Sequence, residues 1–74
     1  MKKKKRLTIG VTICNARIAA GLTQSQLGVL LDVNQQSIAR WESCQNEPRL
    51  STLLDVARVL DIPLLTLIRP AEGL

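Results

Sequence analysis

The chain has 74 residues, 46% of them apolar but only one aromatic, Trp41, so it holds a single small domain whose core must be aliphatic. Its formal charge is +4, yet residues 2–6 supply five positive charges, which leaves residues 7–74 at −1. With no histidine, and with Cys14 and Cys44 thirty positions apart, neither a zinc finger nor a metallohydrolase can be assembled, and no metal or other cofactor is expected.

No apolar run exceeds three residues, far short of the roughly 20 that a membrane span needs. Residues 7–18 are interrupted by Thr8, Thr12, Asn15 and Arg17, so they do not read as a signal peptide. Two cysteines are too few for a disulfide scaffold, and a cytoplasmic protein with reduced thiols is the expectation.

Residues 1–6 form a basic arm without apolar periodicity, expected to stay disordered until it meets something negative. From Thr8, the residues Ile9, Ile13, Ala16 and Ala20 recur at helical spacing, and Gly21 stops the pattern as a glycine just past a helix end does. Thr23 with Gln26 makes a capping-box pattern ahead of Leu27, Leu30 and Leu31, which predicts a second helix over about residues 24–31. After Asp32 and Val33, Asn34 can cap a third helix in which Ile38 and Trp41 share one face. Pro48 disfavours helix at Glu47, so residues 44–49 read as a loop. Ser51 is the expected cap of a fourth helix with Leu53, Leu54, Ala57 and Leu60 inside. Asp61, Ile62 and Pro63 break it. Residues 64–68 fit either a fifth helix or a short strand, because a run this short has no decisive period.

Two short helices joined by a three-residue turn, the second with a polar outer face, describe a helix-turn-helix unit. Gly28 supplies the small residue where the helices cross, and Leu27, Leu31, Val33, Ile38 and Trp41 form the interior. Gln35, Gln36, Ser37 and Arg40 project outward, and amide and guanidinium groups are those that pair bidentately with adenine and guanine edges. Gln24 adds a donor beside the N–H groups of a helix terminus, a natural phosphate site.

The residues 21–24 (Gly-Leu-Thr-Gln), Gln26-Leu27, 33–38 (Val-Asn-Gln-Gln-Ser-Ile), Trp41-Glu42, Glu47-Pro48 and 52–54 with Ala57 and Leu60 resemble the Xre/Cro/cI helix-turn-helix proteins over about residues 9–68. The resemblance implies an all-α, lambda-repressor-like bundle of four to five short helices, with the third as recognition helix. It also implies a homodimer on a palindromic site in double-stranded DNA. Residue by residue, Gln24 resembles a phosphate anchor, Gln35 and Gln36 match base-contacting positions, and Arg40 is a further base or phosphate contact. Ser43 and Arg49 match positions near the backbone or minor groove. With Asn34, Ser37 and the arm residues Lys2, Lys3, Lys4 and Lys5, these make up the candidate DNA surface. Arg17 and Glu42 match a structural ion pair. Asp32 and Cys44 stand where glycines are usual, and cysteine tolerates left-handed geometry poorly, so an altered path is expected for the loop leading to Arg49.

Residues 1–6, 7–69 and 70–74 are thus read as arm, DNA-binding domain and tail. The arm either wraps DNA or is a solvated tail, since lysines give affinity without geometry. Trp41, at helical spacing from Ile38, reads as core rather than as a stacking platform. Val11, Cys14 and Ile18 form a second apolar stripe on the first helix, a candidate partner surface. Residues 49–58 and 64–70 also resemble HipB-type antitoxins, in which the segment after the fourth helix is a strand pairing across the dimer. That makes Leu64, Leu65, Leu67 and Ile68 a candidate dimer interface and a toxin, such as a HipA-like kinase, a candidate partner. No nucleophile and base share a motif, so an enzyme is not expected. The leading expectation is a repressor of the bacterial or phage nucleoid; the alternative is an antitoxin that represses its own operon.

Overall fold

A computed structural model describes residues 7–68. Among them are five helices and no strand: α1 (Leu7–Ala19), α2 (Gln24–Leu31), α3 (Gln35–Glu42), α4 (Leu50–Leu60) and α5 (Leu64–Ile68). The fold is the all-α lambda-repressor-like bundle. The arm and the tail, with Lys2, Lys3, Lys4 and Lys5, lie outside the described residues.

Each helix sends one side chain into full burial: Ile13 from α1, Leu27 from α2, Ile38 from α3, Val56 from α4 and Leu67 from α5. Trp41, Leu53, Ala57 and Leu60 complete this core, so the single aromatic packs rather than stacks on a ligand. Burying an aliphatic side chain of this size contributes about 1.5–3 kcal/mol, and sharing the five among five helices makes each helix depend on the others.

The ends are closed by local chemistry. Thr23 Oγ1 accepts from Gln26 N–H at 3.0 Å while Gln26 Oε1 accepts from Thr23 N–H at 2.8 Å, a reciprocal cap on α2. Gly21 turns α1 off at φ 78°. Three non-glycine residues take the same left-handed conformation after α2, α3 and α4: Asp32 (φ 60°), Cys44 (φ 66°) and Asp61 (φ 58°). At Cys44 the bonds Cys44 N–H to Trp41 O (3.1 Å) and Gln45 N–H to Arg40 O (2.9 Å) close the turn as a glycine would allow. The cysteine takes the left-handed conformation itself, at a strain of about 1–2 kcal/mol for an L-residue in this region.

Several expectations are corrected. The fourth helix starts at Leu50 with Arg49 as its cap, and no side chain caps it; Ser51 lies inside the first turn. The earlier start makes the Leu53 N–H to Arg49 O bond at 3.0 Å, in place of a serine cap worth ~1 kcal/mol. Leu54 (47% exposed) is a surface residue, and Val56, which the pattern missed, is core; Leu30, outside the expected interior, is 56% exposed. The α2 face is set by Gly28, where an added Cβ would come 2.7 Å from Val33 O, so α2 meets α3 through Leu27 and Gly28 and Leu30 falls to one side. On α4, which packs against α1, α2 and α5, Val56 faces the core and Leu54 faces out. Residues 64–68 are helical, which removes the strand alternative; Leu67 is fully buried in its own chain, Leu64 is partly buried, and Leu65 and Ile68 are exposed.

Candidate nucleic-acid interface

Helices α2 and α3 are joined by three residues, 32–34, and put two polar helix starts side by side. On α3, Asn34 Oδ1 accepts from Ser37 N–H at 2.9 Å and from Ser37 Oγ at 3.1 Å. Asn34 and Ser37 thus spend these groups on the cap, holding the first turn of α3 so that Gln35 and Gln36 emerge exposed. Arg40 follows Gln36 by four residues, is exposed, and lies on the same strip of α3.

A hydrogen-bonded chain runs from α1 to this strip. Arg17 donates to Glu42 through Nε (2.6 Å) and Nη2 (3.0 Å), and through Nη1 to Leu22 O (2.7 Å). Gln24 Nε2 donates to Glu42 Oε1 at 3.0 Å, Gln35 Nε2 to Gln24 Oε1 at 3.4 Å, and Ser25 Oγ to Gln35 Oε1 at 3.0 Å. The Glu42 side chain is 6% exposed. Burial pushes its carboxyl up, but the hydrogen bonds from Arg17 and Gln24 and the Arg17 charge outweigh that, so its pKa lies below the ordinary value. The hydrogen bond to Glu42 likewise holds the Arg17 guanidinium above its ordinary pKa, despite burial. Both stay charged at neutral pH, and the pair presents Gln24 and, through it, Gln35.

The structure thereby separates the sequence candidates. Gln24 and Gln35 are drawn together, with Ser25 as a third member that sequence reasoning missed; its place beside Gln24 in the Thr-Gln-Ser-Gln run was the available signal. Gln36 and Arg40 stand alongside with their side chains directed outward. Ser43 is the exposed C-cap of α3, its hydroxyl 3.3 Å from Arg40 O, and Arg49 is exposed across the following loop. On α1, Val11 (49%) and Ile18 (60%) are exposed, whereas Cys14 is half-buried with Sγ 3.8 Å from Arg17 Nη2, so the apolar stripe loses its middle member. Gly10 was also missed: a Cβ there would run into the Trp41 carbonyl, so α1 and α3 touch backbone to backbone.

Among the described residues, no three side chains are grouped to hold a metal ion, and no helix is long and apolar enough to cross a membrane.

The helix-turn-helix family model (HTH_3) matches residues 15–67. The chain belongs to the helix-turn-helix family of the Xre/Cro/cI type. It is therefore placed among DNA-binding transcription regulators. The chain superposes on the P22 c2 repressor, solved in complex with synthetic operator 9T, with a TM-score of 0.77 and 26% identity over 88% of this chain and 94% of that one. The restriction-modification controller C.AhdI of Aeromonas hydrophila matches with a TM-score of 0.77 and 27% identity, covering 84% and 94%. PlcR of Bacillus thuringiensis, solved with the peptide PapR7 and DNA, matches with a TM-score of 0.78 and 30% identity; the alignment covers 86% of this chain but 22% of PlcR. No curated protein matches the chain.

Proposed function

We propose that this protein is a sequence-specific transcriptional repressor that binds as a homodimer to a palindromic operator with half-sites about one helical turn apart. The observation that carries the reading is the paired start of α2 and α3. Gln24 and Gln35 are pre-oriented by hydrogen bonds to Glu42 and Ser25, and Gln36 and Arg40 project beside them. A preorganised amide loses little freedom on binding, which favours base reading by Gln35, with the exposed Gln36 beside it and Arg40 suited to a guanine edge. The first-turn N–H groups of α2 and the Gln24 side chain are suited to a phosphate. Arg49, Ser43 and the arm lysines Lys2–Lys5 are assigned to the flanking backbone, and Arg17–Glu42 to support. Similarity to the P22 c2 repressor, solved on an operator, supports the assignment to DNA. For the dimer, Leu65 (65% exposed) and Ile68 (46%) remain as the contact candidates.

The test is selection from random double-stranded DNA. The native chain should enrich a two-fold symmetric site, and the variant Gln35→Ala/Gln36→Ala should fold yet lose that preference. A double variant that still discriminates its site from random DNA equally well would put recognition elsewhere.

A second reading, an antitoxin that also binds a toxin, is favoured by the exposed Val11 and Ile18 on α1, an element away from the α2–α3 face. It requires a toxin that binds the native chain and not the variant Val11→Lys/Ile18→Lys.

A further inference from the structure

Two thiols border the Arg17–Glu42 pair, and DNA binding as proposed uses neither. Cys14 Sγ lies 3.8 Å from Arg17 Nη2, and Cys44 Sγ lies 4.0 Å from Glu42 O. The Cys44 sulfur also sits 2.8 Å from the place a Cβ on Gly10 would occupy. Gly10 and Cys14 are four residues apart on α1 and therefore share a face, and the Cα–Cβ bond of Cys14 tilts toward the helix N-terminus, that is, toward Gly10. Because Gly10 has no side chain, Cys44 rests directly on the α1 face that carries Cys14. Helical Cβ positions four apart are about 5–6 Å from each other, which bounds the Cys44 sulfur to within roughly 9 Å of Cys14 Cβ. A disulfide needs the two Cβ atoms near ~3.8 Å, a separation that a shift of the loop after α3 by a few ångströms brings within reach.

The backbone is a second, independent observation. Cys44 sits at φ 66°, where glycine would be unstrained and an L-residue is not. Asp32 and Asp61 close their helices in the same conformation, but Cys44 is the one of the three that carries a thiol, so the turn fixes that thiol against α1. Both thiols are half-buried, which admits a small oxidant.

The geometry points to Cys14 and Cys44 as a thiol pair that a peroxide converts to an intramolecular disulfide, with weakened DNA binding as the consequence. In the first step one thiolate attacks a peroxide oxygen: an S–O bond forms, the O–O bond breaks, and with one proton the leaving hydroxide becomes water. In the second, the other sulfur attacks that sulfenic sulfur: the S–S bond forms, the S–O bond breaks, and a second water leaves. Two electrons pass from the two thiols to one peroxide, which ends as two waters. Closure drags the end of α3 toward α1 and disturbs Glu42, the residue that presents Gln24. The effect on DNA rests on the proposed function; formation of the disulfide does not.

The experiment treats the full chain, at low micromolar concentration, with hydrogen peroxide and follows intact mass and tryptic peptides. Cleavage after Arg6, Arg17, Arg40 and Arg49 places the two cysteines in peptides 7–17 and 41–49. The expected result is a loss of two hydrogens and a linked 7–17/41–49 peptide, formed at a rate independent of protein concentration and reversed by dithiothreitol. Cys14→Ser and Cys44→Ser should each abolish it while keeping a cooperative thermal transition. Affinity of the oxidised chain for its selected DNA site should fall several-fold and recover on reduction. Oxygen addition without the linked peptide, or disulfides only between chains, would overturn the pairing. A linked peptide with unchanged DNA affinity would overturn the regulatory consequence alone. Failure of the reduced chain to select any DNA site would count against the proposed function and leave the disulfide to be judged by mass.

Discussion

Replacing Glu42 with alanine tests the support beneath the DNA face. Its carboxylate accepts two N–H groups from Arg17 and one from Gln24, and both charged side chains are well buried, 12% exposed for Arg17 and 6% for Glu42. Removing one partner of a buried pair costs about 3–5 kcal/mol, because the other charge is left uncompensated. Arg17 keeps its bond to Leu22 O, which leaves its charge partly satisfied, so the lower end, about 3 kcal/mol, applies. A domain of this size holds roughly 4–11 kcal/mol in total, and the loss should lower Tm by about 12–24 °C. Thermal unfolding by circular dichroism at neutral pH reads this directly. The acid limb supplies the sign. The pKa of Glu42 is lower folded than unfolded, so its stabilisation is present above the ordinary carboxyl value of 4.5 and is lost as pH falls through the lower folded value. Arg17, held above its ordinary value by the hydrogen bond to Glu42, contributes a constant amount over this window. The gap between native chain and variant should therefore narrow only below about pH 4.5. A drop in Tm of less than about 4 °C, or a gap independent of pH down to acid unfolding, would refute the account of this pair.

Other perturbations follow from the same contacts. Gly10→Ala should destabilise by about 1–3 kcal/mol, seen in chemical denaturation, because the new methyl meets the Trp41 carbonyl and the Cys44 sulfur and α1 must shift. Cys44→Gly should raise stability by up to about 1 kcal/mol, the relief of left-handed strain exceeding the extra freedom of glycine in the unfolded chain. Deleting residues 2–6 should lower DNA affinity and reduce the magnitude of the salt slope by as much as about 4.5, at roughly 0.9 per phosphate neutralised, with the preferred sequence unchanged. An unchanged slope in salt titrations would show that the arm makes no phosphate contact.

The sequence by itself determined the features written in local chemistry. Thr23 with Gln26, Asn34, Gly21 and the left-handed-tolerant Asp32 mark helix ends through bonds that span four residues or fewer, so they can be read without knowing what lies opposite. The order of those marks sufficed to read a helix-turn-helix and to place Gln24, Gln35 and Gln36 at two helix starts, with Arg40 further along the second. Only the tertiary structure decided which apolar residues are inside and which polar ones are tied. Leu30 and Leu54 fit the helical period as well as any core residue, but the packing of α2 on α3 and α4, and of α4 on α1, α2 and α5, leaves them outward while Val56 is buried. Residues 64–68 carry no decisive period; helix wins because it buries Leu67 against the rest of the bundle. Gly10 looked like any helical glycine until Trp41 and Cys44, more than thirty residues away, were brought against it. The link from Arg17 through Glu42 and Gln24 to Gln35 joins three helices, and long-range hydrogen bonds of this kind leave no periodic trace in a sequence.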